Sequence, residues 1–227
     1  MEINPIAYIR TEFPEKFGVP RQSGLAGNLQ ARIVFEKEYR NHDAFRGLEG
    51  FSHIWLIWEF SANRRTDVCR WQPTVRPPRL GGNVHVGVFA TRSPFRPNPI
   101  GLSCVELERI DFDCDDGPLL HVRGADLMDG TPIYDIKPYV KYADSRPHAS
   151  CGYVDKLQET SLKVDFPSEL SACIRDKAVL PALIQVLSLD PRPSYHDDPE
   201  RVYGLSFAGY NVRFKVSGRV LEVVDVK

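Results

Sequence analysis

Residues Phe51–Phe60 read FSHIWLIWEF, a stretch in which only Ser52, His53 and Glu59 are polar. A short run rich in aromatic and β-branched side chains predicts a strand rather than a helix. Its almost continuous apolarity predicts burial on both faces, with His53 as a hydrogen-bonded core histidine. Working outward, Ile6–Thr11, Leu29–Phe35, Val84–Arg92, Leu102–Phe112 and Leu119–Gly124 are further β-branched or aromatic runs bounded by Gly, Pro, Asn or Asp. Within them Val105, Leu107 and Phe112 lie among acids, the pattern of a strand with one wet face. Asp43–Gly50 predicts a short helix. Strands do not alternate with long helices, which argues against a doubly wound Rossmann sheet and for a mostly β chain closed into a β-barrel. Polar, turn-forming residues from Ser145 to Asp155 predict a division into a barrel domain, 1–148, and a small α+β C-terminal appendage, 149–227. In the appendage, helices are expected at Ser168–Lys177 and Val179–Leu189, and strands at Tyr203–Phe207, Asn211–Val216 and Val220–Val226.

A chain of 227 residues, 42% hydrophobic and 26% charged, can bury a core without disulfide or metal staples. The five cysteines (Cys69, Cys104, Cys114, Cys151, Cys173) are odd in number, widely spaced and free of any C-x-x-C pair, so reduced thiols are expected. The histidines show no metal-ligand spacing, and no metal site is expected. The N-terminus lacks a basic start followed by an apolar stretch, and no run of eighteen apolar residues is present, so a cytoplasmic protein without a membrane helix is expected. The net charge of −1 hides an uneven distribution. Seven arginines (Arg64, Arg65, Arg70, Arg76, Arg79, Arg92, Arg96) fall between 64 and 96 with no lysine and one acid, Asp67, whereas Glu106, Glu108, Asp111, Asp113, Asp115 and Asp116 form an acidic block. The guanidinium fork suits phosphates and carboxylates, so the arginine segment predicts a local anion-binding surface on a nearly neutral protein.

Glycine-rich phosphate loops, metal-binding H-E-x-x-H and nucleophile-elbow motifs are absent. Four loops instead combine prolines and glycines with polar side chains: GVPRQSG (Gly18–Gly24), TVRPPRLGGN (Thr74–Asn83), ATRSPFRPNPIGLS (Ala90–Ser103) and DLMDGTPIYDIKP (Asp126–Pro138). Proline fixes φ, so such loops are stiff and can hold a ligand in one pose at the end of a barrel. Turn chemistry alone does not account for the crowding of Arg92, Arg96, Asn98, Asp126 and Asp129 into them.

These loops carry a resemblance. The stretches PRQSG (Pro20–Gly24), GLEGFSHIWLIWEF (Gly47–Phe60), PTVRPPRLGGN (Pro73–Asn83), GVFATRSPFRPNPIGLS (Gly87–Ser103) and DLMDGTPIYDIKPY (Asp126–Tyr139) resemble the TsaA-like, or TrmO-type, tRNA methyltransferases across nearly all of residues 3–145. DPRPSY (Asp190–Tyr195) and YNVRF (Tyr210–Phe214) are similar, less tightly, to the tail of bacterial members. The resemblance implies a β-barrel homodimer that binds S-adenosylmethionine. It further implies methylation of the exocyclic amine of threonylcarbamoyladenosine at position 37, in the anticodon loop of tRNA. It implies cofactor contacts from Arg21, Gln22 and Ser23, from Ser61 and Ala62, from Arg92 and Leu102, and from Asp126, Leu127, Met128 and Asp129.

Chemistry can be set beside those implications. The cofactor has no phosphate, so it needs no glycine-rich loop. Arg92 is the candidate clamp for its carboxylate, Asp126 or Asp129 the acceptor for its ribose hydroxyls or ammonium, and backbone near Gln22, Leu102 and Ser61 the reader of its adenine. For the substrate, Arg96 or Lys137 is the candidate cation for the threonyl carboxylate, with Asn98, Arg192 and Tyr195 as further contacts. A urea-like nitrogen is a weak nucleophile until it loses its proton, so a base or an anion-stabilising donor is useful. Asp135, Tyr134 and Tyr195 are the candidates, and the residues do not choose among them. The tail is expected to grip RNA through Arg192, Tyr195 and Arg213 without taking part in cofactor binding. Two other readings stand beside this one: the same fold and cofactor acting on another RNA position or a small molecule, and a non-catalytic RNA-binding module with Trp71, Phe89 and Phe95 as stacking candidates.

Overall fold

The structure, a computed structural model, describes residues 2–61, 71–80, 83–157, 161–193 and 198–227. In chain order the first strands are β1 (Ala7–Arg10), β2 (Gln30–Phe35) and β3 (His53–Glu59), then the short pair β4 (Thr74–Val75) and β5 (Val86–Gly87), then β6 (Ile100–Asp111), β7 (Leu119–Arg123) and β8 (Pro132–Pro138). All but β4 and β5 close into an antiparallel barrel in the order β1-β2-β7-β6-β3-β8. After β8 come α1 (Lys141–Asp144), β9 (Lys163–Asp165), α2 (Ser168–Ser171), α3 (Val179–Ser188), β10 (Tyr203–Phe207), β11 (Tyr210–Ser217) and β12 (Val220–Val226). Their sheet runs β10-β11-β12-β9, with β9 parallel to β12. Among the described residues no helix is long and apolar enough to cross a membrane.

β3 is buried on one face, not both. Ile54, Leu56 and Trp58 point into the barrel, while Trp55 and Ile57 are half-buried on its outside. A barrel offers one dry interior. Among the described residues, the chain returning after β8 covers part of the outer face of β3: Tyr139 lies 6.1 Å from the Trp55 ring, and Trp55 Nε1 donates to Asp144 at 3.1 Å. His53 belongs to that outer face. It is exposed, with its Nδ1 2.9 Å from Ser52 Oγ, and is not a core histidine.

The strand expected over Val84–Arg92 shrinks to Val86–Gly87, because the Val88 carbonyl is taken by Thr91 N and Thr91 Oγ1, which curl Val88–Ala90 into a 3-10 turn. The helix expected at Asp43–Gly50 is instead two 3-10 turns, His42–Phe45 and Leu48–Gly50, parted by Gly47 at φ +86°. Phe45 is buried edge-on against Phe35, 4.8 Å between centroids. Pro132–Pro138, read from sequence as part of a loop, is the strand that closes the barrel by pairing with both β1 and β3. A bulge opposite Ile57 and Trp58 explains the misreading. It inserts Tyr134, so the core-facing Ile133 and Ile136 stand three apart and the two-residue alternation is lost.

Two cores result. One fills the barrel; the other lies under the four-stranded sheet against α3, whose Leu183 and Leu187 are fully buried. The second core also takes Phe13, Ala26 and Leu29 from the β1–β2 connection. That connection is therefore packed between the two units. Gly18, within it, adopts φ +90°, and a Cβ there would come within 2.2 Å of Leu205 on β10.

Gly101 is similarly constrained. It sits opposite Trp58 in register, and a Cβ would meet the indole at 2.3 Å. Gly101→Ala should cost about 1–3 kcal/mol in urea unfolding, the usual penalty for overpacking a core. Unchanged stability would mean that the Trp58 ring can shift freely.

Candidate functional site

A cavity of 830 Å³ opens where the end of β3, the start of β6, the β7–β8 connection and the β1–β2 connection converge. That volume suits a cofactor-sized ligand. Its wall is anchored in the barrel core by a short relay. Trp58 Nε1 donates to Ser103 Oγ at 2.9 Å, and Ser103 Oγ donates to Asp126 Oδ1 at 2.5 Å. Ser103 is fully buried, and both bonds satisfy its hydroxyl. The backbone of Ser23 and of Asp126 itself also favours the charged form of this carboxyl. Burial nevertheless dominates and pushes the Asp126 carboxyl above its ordinary range, against the pull of Ser103 and of the Arg92 charge.

Also in the lining, Arg92 Nη1 donates to Gln22 Oε1 at 2.5 Å, which fixes an exposed guanidinium. Arg96 Nη1 donates to the carbonyls of Thr91 (2.6 Å) and Val88 (3.3 Å), so Arg96 braces the turn beside the cavity while lining it. The C-terminal unit contributes Pro191, Arg192 and Pro193 to the lining. Arg192 is bidentate to Asp190, through Nε at 2.9 Å and Nη2 at 3.0 Å. Arg21 reaches from the β1–β2 connection to the carbonyls of Asp190 and Arg192, each at 3.4 Å. Burial and the nearby Arg79 lower the pKa of Arg21, which Asp190 partly offsets.

Of the residues expected at a cofactor site, Arg21, Gln22, Ser61, Arg92 and Leu102 line the cavity, as do Asp126, Leu127 and Met128. Ser23 stands behind the wall, its hydroxyl accepting from Cys104 N at 3.2 Å. Asp129 is not brought to the cavity; it holds Thr11 N at 3.1 Å and Arg10 Nη1 at 3.5 Å. Ala62 and Tyr195 lie outside the described residues. Of the substrate candidates, Arg96 and Arg192 line the cavity and Asn98 and Lys137 do not. Asn98 is exposed beside Ile100, and Lys137 pairs with Asp135 at 2.9 Å on the outside of β8. Of the candidate bases, Asp135 is occupied by that pair and by Ile136 N. Tyr134 donates to Glu59 Oε2 at 2.5 Å, and Glu59 lines the cavity. The cavity also takes Lys16 and Phe17, which lie outside the quoted motifs, and Trp58, which lies inside one but was expected only as a strand residue. Ser103 offered a signal: a polar residue in the inward series Gly101, Ser103, Val105, Leu107 must find partners. The tail, expected to grip RNA without taking part in cofactor binding, contributes Pro191, Arg192 and Pro193 to the same wall. The described cysteines Cys104, Cys114, Cys151 and Cys173 are free, and no group of metal-ligating side chains occurs among the described residues.

A family model described as the tRNA-methyltransferase O N-terminal domain matches residues 8–145, and one described as the TrmO C-terminal domain matches residues 159–227. The chain belongs to the tRNA-methyltransferase O family. A member from Escherichia coli K12, named tRNA (adenine(37)-N6)-methyltransferase, is 41% identical over 229 residues, covering 98% of this chain and 96% of that protein. A Pseudomonas aeruginosa relative whose name includes S-adenosylmethionine-dependent methyltransferase is 39% identical over 210 residues, covering 89% and 87%. The crystal structure of TrmO from Pseudomonas aeruginosa superposes with a TM-score of 0.79 at 33% identity, covering 100% of this chain and 96% of that one. In this member of the family, both matched domains supply residues to one cavity.

The raised pKa of Asp126 has a thermodynamic consequence. The folded chain holds this proton more tightly than the unfolded chain. The group's contribution to stability is therefore present below the ordinary carboxylate range and lost as pH rises through the raised value. Asp126→Asn removes that loss, so the ligand-free variant should melt above the wild type near pH 7.5. The gap should close toward about pH 4. A variant that melts lower at neutral pH would show that the bond from Ser103 outweighs the burial of the charge.

Proposed function

We propose that this protein is an S-adenosylmethionine-dependent tRNA methyltransferase acting on the N6 nitrogen of threonylcarbamoyladenosine at position 37, beside the anticodon. The observation that carries this reading is a cavity lined by the Arg92–Gln22 pair, by the buried Asp126 carboxyl and by apolar side chains. That donor set fits a ligand bearing a carboxylate, an ammonium, ribose hydroxyls and an adenine, and lacking phosphate. Arg92 and Gln22 suit the carboxylate, Asp126 the hydroxyls or ammonium, and Phe60, Leu102 and Leu127 the adenine. When bound, the cofactor supplies an electrophilic methyl group on sulfur. The chain's own task is then to hold the target nitrogen in line and exclude water.

Arg96, already in the cavity wall, is better placed than Lys137 to receive the threonyl carboxylate. Tyr134, through its hydrogen bond to Glu59, is the described base candidate with a link to the cavity. Half-buried Ile57 on the outside of β3, next to the cavity-lining Ile100 and Leu102, supports a homodimer whose interface adjoins the cavity. The cytoplasm, where tRNA is found, is the proposed compartment.

Nucleoside mass spectrometry of tRNA from cells with and without the protein tests the reaction: methylated threonylcarbamoyladenosine should vanish on deletion. Arg92→Ala should weaken S-adenosylmethionine binding in calorimetry by roughly tenfold to a hundredfold, the weight of a charge-assisted hydrogen bond, at unchanged melting temperature. Wild-type affinity would remove Arg92 from the site.

A further inference from the structure

Two aromatic side chains beside the cavity are displayed to solvent. Phe89 is 73% exposed and Trp71 47% exposed, yet their rings are nearly parallel, 19° between planes with centroids 6.5 Å apart. Single exposed apolar residues are ordinary, but an aligned, solvent-facing aromatic pair next to a ligand cavity marks a recognition surface. The pair rests on a braced support. Val88 N donates to Pro73 O at 3.0 Å and Gln72 N to Phe95 O at 3.2 Å, β4 pairs with β5, and Val75 and Val88 are buried beneath. Arg96 ties this support to the cavity. Its guanidinium carbon lies 5.9 Å from the Phe89 ring centroid while Nη1 holds the carbonyls of Val88 and Thr91.

We propose that Trp71 and Phe89 form a stacking platform for an unpaired base of the anticodon loop next to the adenosine being modified, an inference that rests on the proposed function. The surrounding charge selects the partner. From Val68 to Val105 the sequence contains no Asp or Glu, and exposed Arg76 and Arg79 lie on the same arm as the two rings. Flat apolar faces with Arg96 against one ring and further arginines in the same acid-free segment match a ligand with planar bases and a phosphate backbone. A second copy docked here about a twofold axis would bring cations against cations. The geometry also fits the reaction: an adenosine whose N6 must reach the cavity leaves its neighbour in the loop without a stacking partner, and the platform supplies one just outside the rim.

The test uses full-length protein with tRNA carrying the threonylcarbamoyl group, comparing Phe89→Ala, Trp71→Ala, Phe89→Leu and Phe89→Tyr. The alanine variants should raise KM for tRNA by roughly fivefold to a hundredfold, the range of one lost stacking contact, with kcat at saturating tRNA and S-adenosylmethionine affinity unchanged. Phe89→Leu, which keeps apolar bulk without an aromatic face, should also raise KM, and Phe89→Tyr should restore it. In an anticodon stem-loop with 2-aminopurine beside the target, the wild type should quench fluorescence and Phe89→Ala should not. A wild type that methylates tRNA while both alanine variants keep wild-type KM and quenching overturns the platform alone. Variants that alter the sedimenting species with KM unchanged assign the rings to a contact between copies and also overturn it. A wild type that leaves this tRNA unmethylated overturns the proposed function, and the platform with it.

Discussion

The indole of Trp58 lies against Gly101 and hands its N–H to Ser103, which hands its own proton to Asp126. Much of the site depends on that chain of contacts. It places a carboxylate at the cavity wall by bonds that begin in the barrel core, so the position of Asp126 is set by packing and not by a mobile loop. An ionised carboxylate held this way is energetically unfavourable in the empty protein, because burial outweighs its hydrogen bonds. A ligand that brings donors to it relieves that penalty, and the same feature that weakens the fold strengthens binding.

The barrel alone does not complete the cavity. The β1–β2 connection gives Phe13, Ala26 and Leu29 to the C-terminal core and Gly18–Gln22 to the cavity lining. Gly18 allows the close approach: with any side chain it would collide with Leu205. From the other side, α3 ends at Ser188, Asp190 just beyond it adopts the left-handed region at φ 54°, and the chain turns so that Pro191–Pro193 line the cavity. Asp190 holds Arg192, and Arg21 grips the carbonyls of both. The two family domains thus meet at the site itself, and a change in how they dock would alter the shape of the cavity.

Much of this was legible in the sequence and some was not, for identifiable reasons. β1, β2, β3, β6, β7 and the strands of the C-terminal sheet other than β9 follow runs of apolar and β-branched residues, and a barrel follows from the absence of long alternating helices. β8 was hidden because its bulge sets Ile133 and Ile136 out of the alternating pattern and prolines flank it. β9, Lys163–Asp165, has a single apolar residue and is a strand only because β12 offers it an edge. In the site, loop residues such as Gln22, Arg92 and Asp126 were visible as unusual polar density in stiff turns. Trp58 and Lys16 were not, since a core-facing tryptophan reads as packing and an isolated lysine as surface. Asp129 and Lys137 do not line the cavity: a charged residue within a motif can be engaged in a local ion pair, here with Arg10 and Asp135.

The net charge of −1 misleads because the charges are sorted in space. β6 starts at Ile100 beside the cavity and runs to Asp111, a length of about 36 Å at the usual rise per residue. The acids Asp111, Asp113, Asp115 and Asp116 therefore gather at the far end of the barrel, where Arg40 is the near counter-charge to Asp116 at 3.8 Å. The acid-free stretch from 68 to 105 brings Arg92 and Arg96 to the cavity and Arg76 and Arg79 to the adjoining arm. A polyanion approaching such a molecule feels attraction at one end and repulsion at the other, a field that orients it before contact and weakens as salt shortens its reach. A nearly neutral protein can in this way direct RNA toward the cavity without binding it over its whole surface, because the acid-free arginine segment lies at the end that holds the cavity, far from the acidic block.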